Sequence, residues 1–214
     1  LLLERGPKQR LPAEQIRDAA LAASGLLNRT MCAPSVKPYQ PAGLWEAAGT
    51  GKSYSQDHGD KLYRRSLYTF WRRTAPPPSM LTFDALTREV CTAKRETTTT
   101  PLQALVLLND PQFVEAARAL GERLLKDFPN DLDARTRDAF RSLTGRSPDE
   151  RELAVLRQLF EEQRIFYAGD TAAAEKLLTT GESKPDAALP RPEFAATTML
   201  VSAIMNFDEF VMER

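Results

Sequence analysis

The stretch "TTTTPLQALVLLNDPQF", residues 97 to 113, constrains the fold more than any other part of the chain. Proline fixes its own backbone and pushes the residue before it out of the α region. Thr100 is therefore expected as an N-cap, Pro101 as the first helical residue, and Gln103 as the reciprocal partner of a capping box. The β-branched threonines ahead of them hold the backbone extended. The helix "PLQALVLLN" is apolar all round, which predicts a place at the centre of the core. Asp110 and Pro111 then open a second helix, with Phe113, Ala116, Ala117, Leu120, Leu124 and Leu125 facing inward.

Similar punctuation runs along the rest of the chain. Residues 12 to 28 read as a helix started by Pro12, with Ile16, Ala20, Ala23 and Leu27 on one stripe. Residues 30 to 60 hold Pro34, Pro38, Pro41 and several glycines around one anchor, Trp45, and predict an ordered loop that wraps the core. Leu67 to Trp71 carry β-favouring residues and lean to a short strand, and Pro76, Pro77 and Pro78 predict an extended segment. A further helix spans about Leu132 to Thr144 and ends at Gly145. "SPDE", Ser147 to Glu150, reads as a capping box for a long helix through Leu153, Leu156, Leu159, Phe160 and Phe166. Helices at about 171–180 and 192–206 complete the pattern, the last carrying Phe194, Met199, Val201, Ile204 and Met205.

The 214 residues suffice for a core that needs no disulfide or metal staple. Cys32 and Cys91 have no metal or redox spacing, so two buried free thiols are expected unless the fold brings them together. Lysine plus arginine equals aspartate plus glutamate at 29 each, so no global field draws the protein to nucleic acid or to a membrane surface. No apolar run approaches the roughly 20 residues of a membrane span. The opening "LLLERGPKQRLP" shows no signal peptide and reads as the middle of a longer polypeptide.

"GTGKS", residues 49 to 53, imitates a phosphate-binding loop, but Glu46 stands where that loop needs glycine, and no strand precedes it. A nucleotide site is rejected. His58 lies in a polar turn beside Asp57 and Asp60 with no second ligand at metal spacing, so no metal is assigned. Residues 61 to 95 contain eight basic residues against two acids, a local positive excess interleaved with Tyr63, Tyr68, Phe70 and Trp71. Arg64, Arg65, Arg72, Arg88 and Arg95, together with Asp84 and Glu89, are the candidate ligand or docking surface. The competing reading pairs these arginines internally with carboxylates and helix C-termini. Asp84 and Glu89 would be the working carboxylates of a glycoside hydrolase if they stood at acid–base separation.

"GLWEAAG", "DKLYRRSLYTFWRRTAPPPSM", "TREVCTAKRETTTTPLQALVLLNDPQF" and "LTGRSPDERELAVL" arrive in an order that resembles a known family. It is the C-terminal domain of unknown function, planctomycete-specific, of multidomain proteins that also contain a cytochrome-c-like region. The chain departs from the family pattern at Leu86, usually proline, and at Thr98 or Thr99, often asparagine. The resemblance implies an exported protein, periplasmic or at the cell surface, with haem held only in an upstream domain; the haem motif Cys-x-x-Cys-His is absent from this chain.

The fold expected is mainly α, a compact bundle of about six helices with a long proline-rich wrapping loop. A small β-hairpin from residues 66–71 and 88–95 is the one sheet element allowed for. Residues 1–214 would form a single helical domain, the C-terminal fragment of a longer multidomain protein. It would comprise an N-terminal helix and loop (1–60), a motif-dense segment (61–110) and a helical bundle (111–214). The leading function is a non-catalytic accessory module that docks on upstream domains of the same polypeptide or binds an anionic ligand such as a polysaccharide. The alternative is a polysaccharide hydrolase working through Asp84 and Glu89.

Overall fold

The computed structural model describes residues 9–49 and 51–213. Ten helices occur among the described residues. In chain order they are α1 (Ala13–Ser24), α2 (Leu44–Ala47), α3 (Pro78–Thr82), α4 (Pro101–Asn109) and α5 (Pro111–Asp127). Then follow α6 (Leu132–Thr144), α7 (Glu150–Gly169), α8 (Thr171–Leu178), α9 (Arg191–Met205) and α10 (Asp208–Val211). Two short strands, β1 (Gln9–Arg10) and β2 (Met212–Glu213), pair antiparallel. The mainly helical expectation holds.

Helix boundaries follow the punctuation. Thr100 and Gln103 form the capping box at the start of α4, and Asp110 accepts the Gln112 backbone N–H at 3.1 Å to start α5. Gly145 ends α6 in the left-handed conformation, φ 76°. The box before α7 is displaced by two residues from its expected place. Asp149, not Ser147, is the cap, and its partner is Glu152 rather than Glu150. An aspartate accepts the backbone N–H more strongly than a serine and also favours the positive helix end, which decides between the two. Pro78 opens α3, so the extended proline run stops at Pro77.

The centre of the molecule is α5 with α9, and α1, α6 and α7 pack around that pair. Ala116, Ala117, Leu120 and Leu124 of α5 and Phe194, Leu200, Val201 and Ile204 of α9 have no exposed surface. Gly121 lets the α5 backbone approach that of α9: a Cβ there would sit 3.4 Å from the Thr198 nitrogen. A smaller apolar cluster, including Leu125, Tyr167, Ala174 and Leu178, closes α8 onto this core. Tyr167 takes the buried position on α7 expected for Phe166, which is 54% exposed.

Three expectations are corrected. First, α4 is not the core's central rod: only Gln103 and Leu107 are buried, while Leu102, Leu105 and Leu108 are 56%, 53% and 39% exposed. Nine residues make two and a half turns, and one face suffices to meet α3, α5 and α9, so the other apolar face has no neighbour. Second, the 66–71/88–95 hairpin does not form. Ser66–Tyr68 is a 3-10 turn, and the next residues pair with the wrapping loop, where Phe70 N–H reaches Val36 O at 2.7 Å. Third, Cys32 and Cys91 are both free but exposed, since they lie in segments outside the core.

Candidate functional site

The exposed face of α4 forms the floor of a groove of about 710 Å³. Leu102, Leu105, Val106 and Asn109 line it from α4, and Pro78, Ser79 and Thr82 from α3. The opposite wall is the wrapping loop, at Tyr39, Gln40, Pro41 and Gln56. Each wall is held by long-range hydrogen bonds. Gln103 Nε2 donates to Thr82 O at 2.8 Å and ties α3 to α4. Gln112 Nε2 donates to Ser79 Oγ at 3.2 Å, and Tyr39 Oη donates to Glu115 Oε2 at 2.9 Å. At the end of the groove lies Asp110, whose carboxyl is pushed up by burial against the opposing effect of the Gln112 and Ser79 hydrogen bonds.

The wrapping loop is anchored by a buried polar knot that the sequence reading did not single out. Glu115 of α5 is 1% exposed and accepts from Tyr39, from Tyr63 Oη at 2.8 Å, from the backbone N–H of Glu182 at 2.9 Å and from that of Ser183 at 2.6 Å. Arg118, also 1% exposed, donates to Ser183 O at 2.7 Å and lies 3.8 Å from Glu115. Burial and the Glu115 hydrogen bond push the Tyr63 phenol to about 12. Glu182 continues the knot outward, accepting from Gly59 N–H at 2.6 Å and meeting His58 Nδ1 at 2.8 Å. His58 is thus a surface hydrogen-bond partner of Glu182. Among the described residues no group of three or more His, Cys, Asp or Glu side chains converges to hold a metal ion.

Gly181 is part of the same knot. Its φ of 93° favours glycine, and a Cβ there would lie well inside van der Waals contact of the Glu115 carboxyl. Gly181→Ala is therefore expected to destabilise the protein by about 2–3 kcal/mol, through strain and overpacking together. Urea denaturation checks this; a cost below about 0.5 kcal/mol, the range of neutral surface changes, would show that the knot yields.

The residues singled out from the sequence do not gather into one site. Arg64 is buried, donates to Pro34 O at 2.7 Å and Thr30 O at 3.1 Å, and stacks 3.9 Å from the Tyr68 ring centre. Arg65 lies 3.8 Å from Asp18, Arg72 stacks on Trp45 at 4.5 Å, and Arg88 on Trp71 at 4.7 Å. Arg95 grips Glu14 with two hydrogen bonds, 2.7 and 3.0 Å. Burial raises the Glu14 carboxyl, but Arg95 outweighs it and holds the group below its usual range. Asp84, at φ 60°, accepts from both the backbone N–H and the hydroxyl of Thr98, at 2.7 and 2.8 Å, and closes the base of the 84–98 loop. Glu89 is exposed on that loop. The "GTGKS" segment follows α2, a four-residue helix, and Gly49 and Gly51 have positive φ; Thr50 lies outside the described residues.

The architecture is that of a helical scaffold with an apolar groove, and the arginines singled out in the motif-dense segment pair with neighbouring rings, carbonyls and carboxylates. A family model described as PSD1, a protein of unknown function (DUF1553), matches residues 1–160, and the chain belongs to that family. No curated protein and no solved structure matches the chain. Among the described residues no helix is long and apolar enough to cross a membrane.

Proposed function

We propose that the domain is a non-catalytic accessory module that docks, through the α4 groove, on upstream domains of the same exported, cytochrome-c-linked polypeptide. The observation that carries this reading is the exposed aliphatic face of α4. A helix that leaves Leu102 and Leu105 in solvent along a groove of about 710 Å³, with Leu108 exposed beside it, has the form of an interaction surface. The α3 and α4 walls of the groove lie within the motif-dense 61–110 segment, although the arginines there face other partners and the opposite wall comes from residues 39–41 and 56. A hydrolytic reading has no comparable support, because Asp84 is engaged by Thr98. Haem belongs to an upstream domain in this proposal: the cysteines here are exposed and far apart in sequence, and His58 pairs with Glu182.

The test is association of the purified upstream region with this domain, wild type and Leu105→Asp. Leu105 is half-exposed, so the substitution leaves stability within about 0.5 kcal/mol of wild type. Affinity is expected to fall more than about tenfold, because a carboxylate would then be desolvated in an apolar contact. Absent association, or association indifferent to Leu105→Asp, would sink the proposal.

A further inference from the structure

One polar feature of the groove says what kind of segment fits it. Among the residues lining it, Asp110 alone carries a charge. The hydrogen-bond donors that reach its carboxyl, the Gln112 backbone N–H, the Gln112 side-chain amide and the Ser79 hydroxyl, are neutral, and it makes no ion pair among the described residues. The Arg17 charge favours the ionised carboxylate from behind, but the guanidinium gives its hydrogen bonds to Gln112, Leu62, Arg64 and Ser66.

We infer that the groove binds a polypeptide segment in which apolar side chains flank one lysine or arginine, a reading that rests on the docking function above. The apolar side chains cover Leu102, Leu105 and Val106, and the basic group reaches Asp110. An acyl chain supplies no cation for Asp110. A nucleic acid or an acidic glycan brings its charges against the groove's single carboxylate, and like charges there oppose binding.

Three fluorescent 12-residue amphipathic peptides, identical except for a central Lys, Gln or Glu, test the assignment by anisotropy titration of the intact protein. The Lys peptide is expected to bind about tenfold more tightly than the Glu peptide, as charge complementarity requires. Asp110→Asn keeps an N-cap of equal quality, so it preserves the fold while bringing the three affinities together. Leu105→Asp removes binding of the Lys peptide. Three results overturn the inference: no binding by any peptide, equal binding of all three to the wild type, or a Lys preference that survives Asp110→Asn. If upstream association still depends on Leu105 in those cases, the docking function stands and only the ligand chemistry falls. If that association is also absent, both fall.

Discussion

Replacing Glu115 with alanine is expected to lower stability by about 4 kcal/mol, and the melting temperature by about 8–16 °C for a chain of this size. The side chain is a shared acceptor at the meeting of three distant stretches: Tyr39, Tyr63 and the Glu182–Ser183 backbone. Its loss leaves two phenols, the Ser183 backbone N–H and the Ser183 hydroxyl short of an acceptor, while the Glu182 N–H keeps Tyr39 Oη at 2.7 Å. It also removes one of the two carboxylates within 4 Å of Arg118, which is itself 1% exposed, leaving Glu122 at 3.9 Å. Each such orphan costs about 1–3 kcal/mol when water cannot replace the partner. Relaxation and water entry at the half-buried tyrosines hold the sum below simple addition. Glu115→Gln retains one acceptor oxygen and is expected to cost about half as much. Calorimetry of the two variants decides the matter: an alanine cost under about 1 kcal/mol would mean the knot is decorative and the wrapping loop is held elsewhere.

Arg17→Met is expected to cost about 3–4 kcal/mol by urea denaturation, although methionine fills much of the same volume. Arg17 is 3% exposed and reaches Leu62 O at 2.6 Å, Arg64 O at 2.8 Å and Gln112 Oε1 at 2.7 Å. Those three acceptors lie under the protein surface and would lose a charged donor together. Burial lowers the guanidinium's affinity for its proton, and nearby Asp18 and Asp110 counter this. Because the contacts join α1 to the 62–66 turn and to α5, the variant should also loosen the 62–66 turn. Hydrogen exchange at Arg64 and Ser66 would report that; unchanged protection there would place the stabilisation on α1 alone.

Local chemistry was legible in the sequence wherever a few neighbouring residues decide it. The Thr100–Gln103 box, the Asp110–Pro111 start and the Gly145 stop depend on backbone groups within one turn, so residue type suffices. The inward face of α5 was legible for the same reason: its apolar residues recur at helical spacing. The depth of α4 was not, because an all-round apolar helix reads alike whether its second face meets a neighbour or a groove. The long-range contacts of Arg17 and Glu115 were not legible either, whereas internal pairing of the 61–95 arginines was the competing reading. Arg17 reaches carbonyls 45 and 47 residues away in sequence, and Glu115 reaches backbone 67 and 68 residues away. One clue did exist in α5. Glu115 and Arg118 stand beside Phe113, Ala116 and Ala117, and charge on that side of an inward helix requires a buried partner.

The pairing of Gln9 with Glu213 and of Arg10 with Met212 places entry and exit of the described chain side by side. Polypeptide attached at both points would pull the two strands apart from their open end, breaking one rung at a time rather than loading the rungs together. Tension across the molecule would therefore unzip the β1–β2 clasp first and leave α5 and α9 unstrained until it had opened.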